Sequence, residues 1–342
     1  MKKEFGIFSD ILERAIGSNK TIVLPEGEDH RVIEAAEKAA CMDLCNIVVL
    51  GDKITLASMF SRKALRNITI IDPESEGKKR EMYAHTLYEL RKHKGMTEEL
   101  ALETLKDNLI FALMMLKSED ADGVVAGAIH TTADVLRPAF QIIKTRPGIS
   151  KVSSAMLMEM PKHSKLGENG FMVFADPAVI EDPTDEELAD IALLSCNTAK
   201  TLCNIRPKVA LLSYTTKANE NVESEDIQKV KRALKIVRRK NPSLNIDGEM
   251  QVDAALDPEV CKIKCANCLL DGNANVLIFP NLMSANIGYK LVQRIAGVKA
   301  VGPIIQGLNK PVNDLSRGTT SDEIVLNIAI TVLQTKDTIK GS

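Results

Sequence analysis

No stretch of this 342-residue sequence approaches the roughly 18 consecutive apolar residues that a helical bilayer span needs, so no membrane partner is expected. Charge of one sign is lacking too. The 44 Lys and Arg against 46 Asp and Glu leave a net charge of −2, and balanced charge without a clustered basic face gives no reason to expect nucleic acid. Residues 1 to 10 include Lys2 and Lys3 but lack the apolar run of about 7 to 15 residues found in secretory signals, so a cytoplasmic enzyme is the expectation. Seven cysteines, an odd number, fit reduced thiols better than a disulfide framework. The glycine-containing turn Leu24-Pro25-Glu26-Gly27-Glu28 has neither the Gly-x-Gly-x-x-Gly fingerprint nor a Walker lysine, which leaves ATP or NAD binding unsupported. Internal repeats and low-complexity tracts are absent.

What is present reads as α/β. The length exceeds the size at which a single core usually stops growing, so two domains are expected, and 45% hydrophobic with 26% charged residues is ordinary for a chain with real cores. Short β-branched runs at Thr21 to Leu24, Asn46 to Leu50, Ile68 to Ile71 and Gly123 to Ala126 alternate with helical periods near Asp29 to Cys41, Glu76 to Lys92 and Thr97 to Lys117. That alternation is the pattern of βαβ units in a largely parallel sheet. From about residue 150 it restarts, with strands expected at Val152 to Met158, Gly170 to Phe174, Val209 to Ser213 and Val276 to Phe279, and helices at Asp185 to Cys203 and Ser224 to Arg239. Thr97 and Thr184, each followed by acidic residues, read as helix caps.

Metal-ligand spacing is weak. Cys261, Cys265 and Cys268 could supply three soft ligands, but no neighbouring His or fourth Cys completes a set, and the same spacing is one face of a helix. The expectation is a buried apolar face and no metal. Among the five histidines His130 stands out, because it closes the run Gly123 to Ile129 at the carboxyl end of an expected parallel strand, where open α/β sheets place ligands. In Asn281 to Gly288, Ser284 and Asn286 could face a ligand cleft, and a helix-start cap explains Ser284 equally well.

The most informative segment is Pro311-Val312-Asn313-Asp314-Leu315-Ser316-Arg317-Gly318. It sets a hydroxyl and a guanidinium side by side just before an amphipathic helix that starts near Ser321, a combination suited to an anion. Together with Leu24 to Glu28, Leu90-Arg91-Lys92-His93-Lys94-Gly95 and Leu136-Arg137-Pro138, this segment resembles the phosphate acetyl/butyryltransferase family, and the likeness extends over essentially the whole chain. The resemblance implies an isocitrate dehydrogenase-like architecture of two α/β domains with an interdomain cleft. The second domain, 150–301, would be inserted in a first one made of 1–149 and 302–342. It implies acetyl transfer between coenzyme A, as substrate, and phosphate, by direct thiolate attack in a ternary complex. It also implies no cofactor and a homodimer.

Residue roles follow from the same likeness. Arg317, Arg91 and Arg137 match the arginines that meet phosphate, and Ser316 matches the serine that stabilises the transition state. Arg91 could equally serve the carboxyl end of its own helix. Arg137, preceding Pro138, is expected at a helix boundary. No Gly-x-Ser-x-Gly elbow surrounds Ser316, which disfavours a nucleophilic serine. A thiol with a pKa of about 8.5 needs a base to react at neutral pH. The family places an aspartate directly before an Ile-Val pair, whereas here Glu323 precedes Ile324-Val325 and Asp322 stands one position earlier, so the base is Glu323 or Asp322. Thr320-Ser321-Asp322-Glu323 also has the form of a capping box.

Three other readings are weighed. A phosphate butyryltransferase would differ only in its acyl pocket. An NAD(P)- and metal-dependent decarboxylating dehydrogenase would need an aspartate cluster such as Asp247, Asp253 and Asp257, with no dinucleotide fingerprint to accompany it. An inactive regulatory domain conflicts with the intact Ser316-Arg317-Gly318.

Overall fold

A computed structural model of the protein describes residues 6–217 and 224–336; Lys2 and Lys3 lie outside the described residues. In chain order the strands are β1 (Thr21–Leu24), β2 (Asn46–Leu50), β3 (Ile68–Ile71), β4 (Gly123–Ala126), β5 (Ser153–Glu159), β6 (Phe171–Ala175), β7 (Val209–Leu212), β8 (Ile246–Met250), β9 (Val276–Ile278), β10 (Lys299–Gln306) and β11 (Val312–Asp314). They form two sheets in two compact units, Met1–Arg146 with Leu308–Ser342, and Pro147–Gly307. Among the described residues no helix is long and apolar enough to cross a membrane.

The first unit holds a five-stranded parallel sheet in the order β11-β4-β1-β2-β3. Its central strands are continuous apolar runs because both faces are covered. The helices His30–Cys41 and Ser321–Gln334 pack on each other, and the almost wholly apolar helix Asn108–Lys117 packs against β4. A helix apolar on all sides is stable only when buried on all sides, and seven of its ten residues are buried. The single helix read over Thr97 to Lys117 is in fact two, Glu98–Thr104 and Asn108–Lys117. Asp107 makes the break by accepting hydrogen bonds from the amides of Leu109 and Ile110 as a fresh cap.

The helix Thr132–Ile142 corrects the boundary expected at Arg137. Pro138 lies inside it and Arg137 stands exposed in mid-helix. The proline forfeits one intrahelical bond, and burial of Val135, Leu136, Ala139 and Ile142 on one side outweighs that loss.

The second unit's sheet is mixed, in the order β10-β5-β6-β9-β7-β8. β5 is antiparallel to both of its neighbours and the other pairs are parallel. β10 pairs with β5 on both sides of an irregularity between Val301 and Ile304, and Gln306 at its end is bonded by the hydroxyls of Ser153 and Ser195 and donates to Thr198. A boundary at 302 would cut this strand; the chain passes back to the first unit at Leu308.

One close approach limits the first sheet. A Cβ on Gly123 would lie 2.4 Å from Thr331 Cγ2, and Thr331 cannot turn away because its hydroxyl donates to the Asn327 carbonyl and accepts from Asn313. Gly123→Ala should cost about 1 to 3 kcal/mol by overpacking, a melting temperature lower by roughly 3 to 10 °C. Adding Thr331→Ser, which removes Cγ2 and keeps the hydroxyl, should recover most of that loss in scanning calorimetry. An unrescued double variant would refute this account of the contact.

Candidate active site

The loops at the carboxyl ends of β1, β4 and β11 are neighbours because the strands are, and three charged groups organise them. Glu26, just past β1, is 1% exposed. Its carboxylate accepts from the amides of Gly127 (3.0 Å), Ala128 (2.8 Å), Ile129 (3.2 Å) and His130 (3.3 Å) in the loop after β4. His130 Nδ1 lies 2.7 Å from the same carboxylate. A run of amides curled toward one point is an anion nest, and five donors replace the water that burial removes. Because a carboxylate only accepts, Nδ1 carries the imidazole proton and Nε2 is left for other partners.

Arg31 is the second organiser. Asp29 caps the helix His30–Cys41 through the Arg31 amide at 2.8 Å, and its carboxylate also takes the guanidinium at 2.6 Å, which holds the Asp29 carboxyl below its ordinary range. The same guanidinium donates to the carbonyls of Arg317 (2.7 Å), Thr319 (3.1 Å) and Ala128 (2.9 Å). One rigid fork thus ties the loops after β4 and β11 to the start of a helix.

The third group is Asp314, the last residue of β11 and 3% exposed. Thr132 donates its hydroxyl to Oδ2 at 2.6 Å, whereas Oδ1 is buried with no hydrogen-bond partner among the described residues. Burial raises this carboxyl to about 6, the Thr132 bond opposes the rise, and the charge of Glu26 adds to it. Gly127, at φ +108°, makes the fit possible: a Cβ there would meet Asp314 Oδ1 at 2.4 Å and the Leu315 amide nitrogen at 2.7 Å.

Beyond Asp314 the chain turns outward. Ser316, Arg317 and Gly318 are exposed, Thr319 is buried, and the Thr319 amide bonds back to the Ser316 carbonyl at 2.9 Å. Ser316 Oγ accepts weakly from the Gly318 amide at 3.3 Å and keeps its own proton to donate. The two candidate bases follow on the helix Ser321–Gln334 and point to different partners. Asp322 accepts from Lys38 at 2.6 Å, in a cluster with Glu34 and Ser321. Glu323 closes the capping box, its Oε2 accepting from the Thr320 amide at 2.9 Å and the Thr319 hydroxyl at 3.2 Å, while Oε1 takes neither bond. Arg137 belongs to the helix that begins directly after His130. Arg91 ends the helix Gly77–Arg91, half-buried, before a short 3-10 turn closed by Gly95 at φ +86°. Neither arginine joins the bonds that knit the three loops. Glu26, Arg31 and Asp314 had no part in the sequence-based site; the local signal for Arg31 was an Asp-x-Arg at a helix start.

The sequence profile of the family described as phosphate acetyl/butaryl transferase matches residues 6–332. The chain is 48% identical to the phosphate acetyltransferase of Clostridium acetobutylicum over 330 residues, 96% of this chain and 98% of that protein. It is also 48% identical to that of Thermoanaerobacterium thermosaccharolyticum over 328 residues, 96% of this chain and 99% of the relative. A phosphotransacetylase structure from Streptococcus pyogenes matches with a TM-score of 0.88 at 41% identity, covering 97% of this chain and 98% of that one. A 4-hydroxythreonine-4-phosphate dehydrogenase from Klebsiella pneumoniae, at TM-score 0.51 and 14% identity over 93% of this chain and 100% of that one, shares the fold alone.

Asp314 yields a pH prediction. Its folded pKa of about 6 stands above the ordinary 3.8, so the folded state binds its proton more tightly than the unfolded chain. Ionisation then costs stability: the penalty is complete above about pH 6 and is relieved as pH falls through 6 toward 4, with a ceiling of about 3 kcal/mol. Asp314→Asn should therefore raise the melting temperature by several degrees near pH 7.5, with the gain shrinking on acidification. A gain independent of pH would contradict the assignment.

Proposed function

The chain belongs to the phosphate acetyl/butyryl transferase family, and from that membership we propose how the residues at the carboxyl edge of the first sheet carry its phosphate acetyltransferase reaction, acetyl-CoA + phosphate = acetyl phosphate + CoA. The observation that carries the proposal is the outward-facing pair Ser316 and Arg317, on a loop whose carbonyls at 317 and 319 are fastened by Arg31. The Arg317 guanidinium grips the phosphoryl oxygens as a two-pronged donor, and Ser316 donates its proton to the acetyl carbonyl oxygen as charge develops there. Arg91 and Arg137 supply further positive charge for phosphate groups. His130 presents Nε2 to the substrate, with Nδ1 committed to Glu26.

In the direction of thioester formation, the thiol gives its proton to a carboxylate and the sulfur attacks the acetyl carbon. The carbon–sulfur bond forms, the bond from the carbonyl carbon to the phosphate oxygen breaks, and inorganic phosphate leaves with its charge held by Arg317. No acyl-enzyme is needed. Glu323 takes the base role in this proposal, because Oε1 stays outside the capping box while Asp322 is committed to Lys38. Coenzyme A is a substrate and no cofactor enters the reading. A homodimer, supported by the family resemblance, and a cytoplasmic location complete it.

Steady-state rates with coenzyme A and acetyl phosphate test the roles. Arg317→Gln should lower kcat/KM by about 10²- to 10³-fold, the range for losing a donor to developing charge. Glu323→Gln should lower kcat at least tenfold and Asp322→Asn much less; the reverse order would move the base to Asp322. Exchange of labelled phosphate into acetyl phosphate without coenzyme A should be negligible, and rapid exchange would eliminate direct transfer.

A further inference from the structure

In the second unit, two thiols and a carboxylate from separate stretches of chain converge, with a third thiol buried in the same cluster. The helix Pro258–Lys264 ends just before Cys265, so Cys261, Cys265 and Cys268 do not form one helical face as their spacing suggested. The chain goes on in a tight turn, the Cys265 amide bonding the Cys261 carbonyl at 2.7 Å and the Cys268 amide bonding the Cys265 carbonyl at 3.0 Å. The sulfurs of Cys265 and Cys268 and a carboxylate oxygen of Asp247 all lie within 4.8 Å of one another, and Cys261 is buried in the same cluster. Asp247 reaches the cluster from β8.

The surroundings are those of a metal centre. The Leu270 amide points at Cys268 Sγ (3.4 Å), and the Leu269 amide fixes Asp247 Oδ2 (3.0 Å). Amide-to-sulfur bonds of this kind steady thiolate ligands from outside the coordination shell. Lys217 and Arg238 both bond the Asp247 carboxylate, the latter at 3.1 Å. Three thiolates and a carboxylate around a dication would carry a net charge of −2, which these two cations offset. A pocket of 540 Å³ lined by Lys217, Arg238, Asp247 and Cys265 gives access from solvent.

We propose that Cys265, Cys268 and Asp247 bind one thiophilic divalent cation of the zinc class, and that Cys261 turns in as the fourth ligand to close a structural site. Three sulfurs and one oxygen suit tetrahedral zinc, and four protein ligands leave no open position for catalysis. Zinc displaces the thiol protons to solvent as it binds. The gain is a clamp holding the helix Pro258–Lys264 and the turn after it to β8.

The test uses the full chain purified without a metal-binding tag. Elemental analysis should find about one zinc per chain, and cobalt added to stripped protein should give the near-ultraviolet absorption of cobalt–thiolate bonds. Cys268→Ser and Asp247→Asn should each weaken cobalt binding by more than about 100-fold, with acetyl transfer at 25 °C retained as the sign of a folded chain. If a variant fails to fold, thiol titration of the parent decides: zinc should shield three of the seven cysteines from a chromogenic thiol reagent. Absence of the cobalt band, zinc retained undiminished by both variants, a disulfide among the three cysteines, or an iron–sulfur absorption near 400 nm would each overturn the proposal.

Discussion

A carboxylate shut away from water has to be answered by donors, and Glu26 imposes that requirement on the loop after β4. Four successive amides and an imidazole N–H converge on it, so residues 127 to 130 have little freedom to take another path. An unanswered buried charge costs several kcal/mol, more than a short loop can gain by relaxing elsewhere. The position of His130, the start of the helix Thr132–Ile142 and the nearness of Gly127 to Asp314 all follow from that one demand.

Around this centre the site separates groups that hold from groups that are presented. Glu26, Arg31 and Asp29 are saturated by partners within the first unit. Ser316, Arg317 and His130 Nε2 face outward with capacity to spare. Asp314 stands between the two classes: buried, half-bonded and shifted toward neutrality. The second unit treats its buried carboxylates differently. Asp176 is bonded by Ser154 on the neighbouring strand and by the amides of Ala178, Val179 and Ile180 just after it, whereas Asp247 gathers partners from four segments.

What the sequence disclosed and what it hid divide along the range of the interactions. The β-branched runs of β1 to β4 were legible because a strand buried on both faces needs little beyond its own composition. Thr97 and Thr184 marked helix starts by local capping, and the box at Thr320 was readable for the same reason. β8 was not legible: Ile-Asp-Gly-Glu-Met has no apolar run, and its Asp247 is neutralised by Lys217 and Arg238 from elsewhere in the chain. Pro138 read as a break because the apolar side that carries its helix through is a tertiary fact. Within the site, Ser316 and Arg317 sit in one continuous motif, whereas Glu26 meets its partners about a hundred residues away and Arg31 meets Arg317 across 286 residues. No window along the sequence spans those distances.

The Arg31 fork contacts main-chain oxygens at 128, 317 and 319 and no side chain there. Every amino acid has such an oxygen, so the anchoring is blind to which residues the loop carries. Side chains at these positions can drift under selection for a different acyl or phosphoryl partner without loosening the scaffold that aims them. Architecture and substrate preference are in that sense inherited separately in this fold.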